Sequence, residues 1–293
     1  MSIKQKIGIV GFGALGQYLS RALLEDDLLR NRCELVFVWN RSKEKILEST
    51  TPSIPAHLIL EDLSDFASRQ ADLIVEVCHP EITQQWASKF LQHSDVMVGS
   101  PTAFASVSFH DGVKEAVKQH GRSVYVPSGA LWGAEDIQKM GQRGTIGRCS
   151  VTMKKHPSSL KVESPLNEKL DSYAKDPEAK GEFIVFEGSV RDLCPLAPNN
   201  VNTMACAAIG ASNLGFDVVR AVLIADKSLQ AHVIDIEVEG KSNPGTPKED
   251  IFHVMTRRYN PAKPGAVTGS ATFVSFLSSL AQAHSRSSGI HLC

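Results

Sequence analysis

Apolar positions in the first 130 residues recur in short runs separated by longer amphipathic stretches. The run at Ala71–Val77 is nearly all apolar, which is typical of a parallel strand covered on both faces. Repeated strand–helix units predict a doubly wound parallel sheet with right-handed crossovers. The predicted strands are Lys6–Val10, Glu34–Asn40, His57–Leu60, Ala71–Val77, Asp95–Gly99 and Ser123–Val126, and the predicted helices are Ala14–Asp26, Ser42–Ser49, Glu81–His93 and Phe104–His120.

The pattern changes after Ala130, where several strand-like runs follow one another without a helix between them. Such an order predicts a mixed or antiparallel sheet that carries one or two helices. The polar stretch Ser158–Gly181 is predicted to be a mobile excursion with a short helix near Asn167–Tyr173, and the tail His284–Cys293 to be frayed. The predicted strands are Cys149–Lys155, Glu182–Glu187, Arg220–Ala225, Ala231–Glu239 and Ile251–Arg257, and the predicted helices are Asn199–Ala211 and Thr268–Ala283.

The length of 293 residues favours two domains, because a single core is usually smaller. We expect one α/β domain over residues 1–130 and a mixed α/β domain over residues 131–267. The helix at 268–283 is expected to pack back on the first domain.

Composition and charge argue against several classes of protein. The formal net charge is −1, without the basic excess of a nucleic-acid-binding protein. No apolar run approaches the ~20 residues that span a bilayer, and Met1–Lys6 lacks the apolar core of a secretory signal, so a cytoplasmic protein is predicted. The six cysteines form no Cys-x-x-Cys pair and no cluster has metal-ligand spacing, so no metal site is predicted.

The turn after the first strand carries the pattern Gly-x-Gly-x-x-Gly. Its first glycine permits a tight turn, its second lets a cofactor pyrophosphate approach the backbone, and its third lets the helix pack close to the strand. The following helix presents free N–H groups to the phosphates. Residues 1–130 are therefore predicted to be a Rossmann dinucleotide-binding domain. The predicted contacts in the turn are Gly11, Phe12, Gly13, Ala14, Leu15 and Gly16.

The end of the second strand bears on the choice between NAD and NADP. An NAD-selective site usually has an acidic residue there, which holds the ribose 2′-hydroxyl, whereas this chain has Asn40. Asn40 would not repel a 2′-phosphate, and Arg41 and Ser42 could bind it with help from Lys43. The cofactor is predicted to be NADP, with NAD tolerated. The alternative is that Arg41 is only a solvated loop charge.

The loop after the fourth strand, Cys78-His79-Pro80, is also expected to contact the cofactor. Loops at the carboxyl ends of parallel strands line the ligand crevice of such a sheet. We expect Cys78 to be a structural thiol and His79 to shape the pocket without acid–base work.

Further motifs follow one another along the chain, and with the glycine turn they form an ordered set. They are Pro127-Ser128-Gly129-Ala130, Glu187-Gly188-Ser189, Asn200-Val201-Asn202, Ala225-Asp226 and, after them, His232. No single motif is decisive, but the ordered set covers nearly the whole chain, from about Lys6 to Leu280. In this order it resembles the L-aspartate dehydrogenase family.

The resemblance implies roles for three residues. Ala130 and Asn202 would contact the nicotinamide cofactor, and His232 would be the catalytic residue. It also implies that residues 131–267 carry catalysis and the contact of a homodimer. The implied reaction is the NAD(P)-dependent oxidative deamination of L-aspartate to iminoaspartate, which either hydrolyses to oxaloacetate and ammonia or feeds NAD biosynthesis. A histidine suits the proton transfers because its ordinary pKa lies near neutrality.

Aspartate carries two carboxylates, so its site should contain positive charge or hydrogen-bond donors. Lys155 is the first candidate, with Lys154 and Arg191 behind it. Ser128 and Ser189 could supply hydroxyl groups. For each lysine, a solvated surface position is an equally open alternative.

Two other functions stay open at this point. The same fold could serve a reductase or dehydrogenase of another amino or imino acid, or a protein that binds NADP(H) as a sensor or scaffold without catalysis. The presence of both Asn202 and His232 favours an enzyme. A sensor would need the glycine turn but not the histidine.

Overall fold

The computed structural model describes residues 4–267, 270–284 and 286–293. Its strands are β1 Gln5–Val10, β2 Cys33–Trp39, β3 Leu73–Glu76, β4 Asp95–Val98, β5 Ser123–Val126, β6 Ile146–Lys155, β7 Phe183–Ser189, β8 Arg220–Ala225, β9 Ala231–Gly240, β10 His253–Pro261 and β11 Gly289–Leu292. Its α-helices are α1 Ala14–Glu25, α2 Asp27–Arg30, α3 Glu44–Leu47, α4 Pro80–Phe90, α5 Val107–His120, α6 Ala134–Gln142, α7 Leu166–Lys175, α8 Val190–Leu193, α9 Asn202–Gly210, α10 Gly215–Val218 and α11 Ser270–Gln282.

The first sheet is parallel throughout and has the strand order β11-β5-β4-β3-β1-β2. β2 lies on one side of β1 and β3 on the other, so the strand order reverses between β1 and β3. All four residues of β3 are buried, which explains its apolar sequence. The predicted Rossmann sheet is therefore confirmed, and its ligand crevice is expected at the carboxyl ends of β1 and β3.

Two details of the predicted first sheet are wrong. The segment predicted as a strand at His57–Leu60 forms a 3₁₀ turn at Ala56–Leu58 and a single bridge between Ile59 and Val38. Pro55 precedes this turn, and Ile59 and Leu60 are buried, so the apolar pattern reflects packing rather than a ladder. The tail that was predicted to be frayed contains β11, which pairs with β5 and completes the sheet.

The second sheet has the order β10-β9-β6-β8-β7. β6 and β8 are parallel, and the other neighbours are antiparallel. This confirms the predicted mixed sheet. The helix α6, which the sequence did not predict, packs against α9, and a Cβ on Gly141 would lie 2.1 Å from Gly210 O. The absence of a side chain at Gly141 therefore permits the close approach of the two helices.

The polar stretch at 158–181 packs on the second sheet. It contains α7, which is longer than the helix predicted near Asn167–Tyr173. Leu166, Leu170 and Tyr173 are buried, and the Tyr173 ring stacks on Phe183 with 4.8 Å between the centroids. The prediction of a mobile excursion overlooked this apolar stripe, because most of the intervening residues are polar.

Helix α11 returns to the first sheet. Phe276, Leu280 and Ala283 share a buried cluster with Ile7 and Leu19 of the first sheet and α1. The first two residues of the predicted helix, 268 and 269, lie outside the described residues. The domain boundary between residues 130 and 131 stays a prediction. Among the described residues, no helix has the length and apolar character needed to cross a membrane.

Candidate active site

The three glycines of the turn after β1 are required for three different reasons. Gly11 has φ +115°, and a Cβ there would lie 2.8 Å from Val77 O. A Cβ on Gly16 would lie only 2.1 Å from Gly11 O, so this glycine permits the close approach of α1 and the turn. A Cβ on Gly13 would meet nothing within 4 Å. The space beside Gly13 is a cradle of the kind that a pyrophosphate needs, so the turn fits a dinucleotide.

The remaining residues of the turn differ in their exposure, and their contacts with a cofactor stay a prediction. Phe12 is buried, Ala14 begins α1 and is exposed, and Leu15 is half-buried. The backbone N–H of Phe12 donates to Asn40 Oδ1 at 3.1 Å, and Asn40 Nδ2 donates to Ser42 O at 2.8 Å. Asn40 therefore ties the end of β2 to the glycine turn.

The charges at the end of β2 are arranged differently from the prediction. Arg41 and Ser42 are exposed beside Asn40. Lys43, however, donates a hydrogen bond to Glu61 and forms an ion pair with it. Lys43 is therefore less available to a 2′-phosphate than the sequence suggested.

The loop after β3 lies against the glycine turn. The thiol of Cys78 donates to Val10 O at 2.9 Å, and burial raises its pKa far above the usual value. His79 accepts the N–H of Glu81 at the start of α4, at 3.4 Å, and Pro80 is the first residue of that helix. These contacts give Cys78 and His79 structural roles at the rim of the crevice.

A cavity of about 80 Å³ lies against β6, β9 and β10 of the second sheet, and it brings together residues that are far apart in the sequence. Its walls include Ala130, Lys155, Asn202, His232 and Asn260. Asn202 Nδ2 donates to Gly99 O at 3.4 Å, whereas its Oδ1 is buried and has no partner in the described part of the chain. An unpaired buried oxygen at the cavity fits a ligand that donates a hydrogen bond, as a carboxamide does.

His232 is the second residue of β9 and is 5% exposed. Its Nε2 lies 2.9 Å from Ala266 O. A carbonyl oxygen only accepts, so the neutral ring carries its proton on Nε2 and leaves Nδ1 basic. Burial and, after it, the charge of Lys155 lower the pKa of His232 to about 4, although the hydrogen bond to Ala266 O opposes both. The imidazole is therefore neutral at pH 7, with a pKa below the near-neutral value expected from the sequence.

Lys155 ends β6 and is 3% exposed. Its Nζ donates to Val267 O at 3.3 Å and to Asn200 O at 3.5 Å. Burial lowers the pKa of this ammonium to about 8. Within the described residues, no carboxylate lies within ion-pair distance of it. The surface alternative for Lys155 is therefore wrong, and the cavity contains a buried cation without an anion.

The other predicted substrate residues lie elsewhere. Ser189 hydrogen-bonds Asp192 and caps α8. In the sheet it lies opposite Arg220, the first residue of β8, whereas Lys155 lies opposite Ala225, the last residue of that strand. Ser128 lines a neighbouring groove rather than the cavity. Of the second-rank candidates, Lys154 pairs with Glu182 and Arg191 with Asp217.

Sequence reasoning missed Asn260, which faces His232 across the β9–β10 pair. Its Oδ1 accepts from Arg258 Nε at 3.0 Å, and Arg258 Nη1 donates to Gly129 O at 2.9 Å. Asn260 and the loop before Ala130 are therefore held by one guanidinium. The predicted strand Ile251–Arg257 ends before Asn260, so nothing in the sequence placed Asn260 opposite the histidine.

Two family descriptions match separate parts of the chain. Residues 11–127 match "Homoserine dehydrogenase, NAD binding domain", and residues 136–279 match "Aspartate dehydrogenase, C-terminal". The first match covers the glycine turn and the second covers Lys155, Asn202 and His232.

Relatives match over most of their length. The chain is 45% identical to an "Aspartate dehydrogenase domain-containing protein" of Danio rerio over 98% of each chain. It is 30% identical to an L-aspartate dehydrogenase of Methanococcoides burtonii, over 80% of this chain and 84% of that one. The crystal structure of aspartate dehydrogenase from Thermotoga maritima has a TM-score of 0.67 with 18% identity, and covers 97% of this chain and 98% of that one. At that identity the structural likeness concerns the fold alone.

Proposed function

The chain belongs to the aspartate dehydrogenase family, and we propose that it is an NAD(P)-dependent L-aspartate dehydrogenase. The proposed reaction transfers a hydride from Cα of L-aspartate to the nicotinamide and gives iminoaspartate. Addition of water then gives oxaloacetate and ammonia. When bound, the nicotinamide supplies the hydride acceptor, a chemistry that no side chain has.

The observation that carries the proposal is the pairing of Lys155 and His232 in one cavity. A buried ammonium is costly unless an anion balances it. A carboxylate of the substrate would supply that anion, and the neutral imidazole would lie beside it as a proton acceptor. The α-carboxylate of any amino acid could balance Lys155, so the pairing supports an amino-acid substrate, and L-aspartate is proposed from the family to which the chain belongs.

The proton transfers are assigned to His232. The α-amino group must be neutral when the hydride leaves, so a base must accept its proton. Nδ1 is the free basic nitrogen, because Nε2 is held by Ala266 O. A dianionic substrate would raise the pKa of the imidazole, since a nearby negative charge favours the protonated ring. After it releases that proton to solvent, the same nitrogen would take a proton from the water that attacks the imine carbon.

Ala130 and Asn202 are proposed to hold the nicotinamide, since both line the cavity with His232. The unpaired Oδ1 of Asn202 supports this role. NADP is the proposed preference, because Arg41 is exposed at the end of β2 and no acidic partner lies within ion-pair distance of it in the described residues.

A homodimer and a cytoplasmic location belong to the same proposal. Met255 and Tyr259 lie on one face of β10, on either side of Arg257, and are 67% and 61% exposed, which supports a surface that a second copy covers. All six cysteines are unpaired, as is usual in a reducing compartment. A monomeric mass in light scattering would remove the dimer from the proposal.

Purified protein should produce absorbance of the reduced cofactor when given L-aspartate and NADP. D-aspartate and L-alanine are the controls, because one has the wrong configuration and the other lacks the second carboxylate. The reverse assay uses oxaloacetate, ammonium and NADPH. Absence of signal in both directions with both cofactors would overturn the proposal. Binding of NADP without turnover would favour the sensor or scaffold function, and turnover of another amino acid would favour a different substrate.

A further inference from the structure

Glu76 is a buried carboxyl group that the proposed reaction does not use. It is the last residue of β3, at the carboxyl edge of the first sheet, and is 1% exposed. Burial raises its pKa, while hydrogen bonds from Cys78, Thr83 and Ser100 oppose that rise. A carboxyl group is rarely buried so completely unless its oxygens are hydrogen-bonded.

The donors to Glu76 come from the loops after two neighbouring strands. The N–H of Cys78, in the loop after β3, donates to Oε1 at 2.6 Å. In the loop after β4, the hydroxyl of Ser100 donates to Oε1 at 3.0 Å and its N–H to Oε2 at 3.2 Å. One carboxyl group therefore joins the two loops at the edge where the ligand crevice lies.

Each joined loop contacts a part of the candidate cofactor site. Cys78 contacts the start of the glycine turn through its bond to Val10 O. Gly99, next to Ser100, accepts the hydrogen bond from Asn202 Nδ2. Glu76 thus lies behind Asn202 and the inner wall of the crevice, and not beside Arg41 at the end of β2.

We propose that Glu76 is a positioning residue for the nicotinamide half of the cofactor site. It fixes the spacing of the loops after β3 and β4 and, through Gly99, the position of the Asn202 carboxamide. The inference rests on the proposed cofactor role of Asn202 but not on aspartate as the substrate. Loss of the bonds from Ser100 to Glu76, with the bond from Cys78 kept, would leave the adenosine half of the site unaffected.

The chain offers a matched control at the opposite edge of the same sheet. Asp95 accepts the N–H of Ser123 at 2.9 Å, so it joins β4 to β5 as Glu76 joins the loops after β3 and β4. Burial raises the pKa of Asp95 as well. Asp95 should have no bearing on the cofactor, because the crevice lies at the other ends of the strands.

The test compares Glu76→Gln, Asp95→Asn and the unsubstituted protein by calorimetric binding and by thermal unfolding. The ligands are NADP and 2′-phospho-ADP-ribose, which lacks the nicotinamide. The Gln amide oxygen can still accept the N–H of Cys78, but the amide NH₂ group would face the N–H of Ser100, and two donors cannot form a hydrogen bond. We expect Glu76→Gln to lower the affinity for NADP by roughly ten-fold, which is the loss typical of one hydrogen bond to a charged group. Binding of the fragment should be unchanged.

Asp95→Asn should leave both affinities unchanged, and thermal unfolding checks that the variant is folded. Equal weakening of NADP and fragment in Glu76→Gln would overturn the proposal, and so would unchanged NADP binding. If Glu76→Gln does not fold, Ser100→Ala removes one of the same contacts. It should lower the affinity for NADP and leave the affinity for the fragment unchanged. Unchanged NADP binding in Ser100→Ala would then overturn the proposal. A failure of L-aspartate turnover would leave these binding results intact, so the two proposals fail separately.

Discussion

The cofactor crevice and the substrate cavity are built in contrasting ways. The crevice is shaped by backbone and glycines of one contiguous turn, and a polar side chain at its edge, Asn40, is hydrogen-bonded on both of its polar atoms. The cavity brings together two titratable side chains from separate strands, Lys155 and His232, and Lys155 lies there without an acidic partner in the described residues. Affinity for the cofactor should therefore depend mainly on shape, and affinity for the substrate mainly on charge.

The largest effect is expected at His232. Replacing it by Ala removes the base and should lower kcat with L-aspartate by about 10²–10⁴-fold, the usual contribution of a general base. Binding of NADP should be nearly unchanged, because the proposal assigns the nicotinamide contacts to Ala130 and Asn202 and only proton transfer to His232. Stopped-flow turnover and fluorescence titration measure the two quantities. His79→Ala is the control, since that histidine caps α4, and it should keep most of kcat. Loss of NADP binding in His232→Ala would break the division between the two regions.

Lys155→Met should separate stability from binding. Its ammonium is buried with a pKa lowered from 10.5 to about 8, so the folded state disfavours the charged form. Replacing it by an apolar side chain should raise the free energy of unfolding at pH 7 by roughly 1–3 kcal/mol. The same change should weaken binding of succinate, a non-reactive dicarboxylate, by about 100-fold. A lower free energy of unfolding in Lys155→Met would show that burial of the ammonium does not destabilise the folded protein.

The sign of the pH dependence gives that prediction a second readout. Between the folded pKa of about 8 and the unfolded value of 10.5, the unfolded chain binds more protons at Lys155 than the folded chain does. The free energy of unfolding should therefore rise with pH across this window, as far as this group contributes. Lys155→Met should lack that rise in urea titrations at several pH values.

Two glycines of the turn test the shape-based region by itself. Gly16→Ala places a Cβ 2.1 Å from Gly11 O and should cost roughly 1–3 kcal/mol of stability through overpacking. The Cβ of Gly13→Ala meets no atom within 4 Å, so stability should be nearly unchanged. The affinity for NADP should fall by about ten-fold, because the methyl group fills the space for the pyrophosphate. Denaturant titration and calorimetry separate the effects. Equal NADP affinity in Gly13→Ala and the unsubstituted protein would place the phosphates elsewhere.

The same contrast explains how much the sequence could predict. The glycine turn was predictable because the pattern that signals it lies within six consecutive residues, although one atom that Gly11 approaches, Val77 O, is distant in the sequence. Lys155 was reached from the chemistry of the implied substrate, and its burial emerges only when β6 is placed between β8 and β9. Asn260 was missed because its position opposite His232 depends on the register of two strands. Register is a long-range property that no local pattern contains.

The errors in the fold have a similar origin. β11 has only four residues at the end of the chain, too few for a periodic signal, and it is stabilised by pairing with β5. The segment at His57–Leu60 has the composition of a strand, but it packs its apolar residues without a ladder. In both cases tertiary contacts decided between alternatives that local propensity left balanced.

The pH dependence of succinate binding sharpens the charge-based half of the comparison. Lys155 must be protonated to bind a carboxylate, and its pKa is about 8 without ligand. The affinity for succinate should therefore fall by about ten-fold between pH 8 and pH 9.5, with the midpoint moved upward by the bound anion. Lys155→Arg keeps its charge over this range, so its affinity should stay level. An unsubstituted protein whose affinity is also level would exclude Lys155 as the carboxylate-binding group.

The smallest effect is expected at Arg41, where the shape-based crevice acquires a charge-based element. Arg41→Ala should lower the affinity for NADP by about five-fold and leave the affinity for NAD unchanged, because an exposed cation contributes modestly to phosphate binding in water. The difference should shrink in high salt. Lys45→Ala removes a neighbouring exposed charge in α3 and should affect both cofactors equally. Since Lys43 is already paired with Glu61, Glu61→Gln should strengthen NADP relative to NAD. If Arg41→Ala weakened NAD as much as NADP, the crevice would depend on shape alone, and the preference for NADP would have no charged residue to explain it.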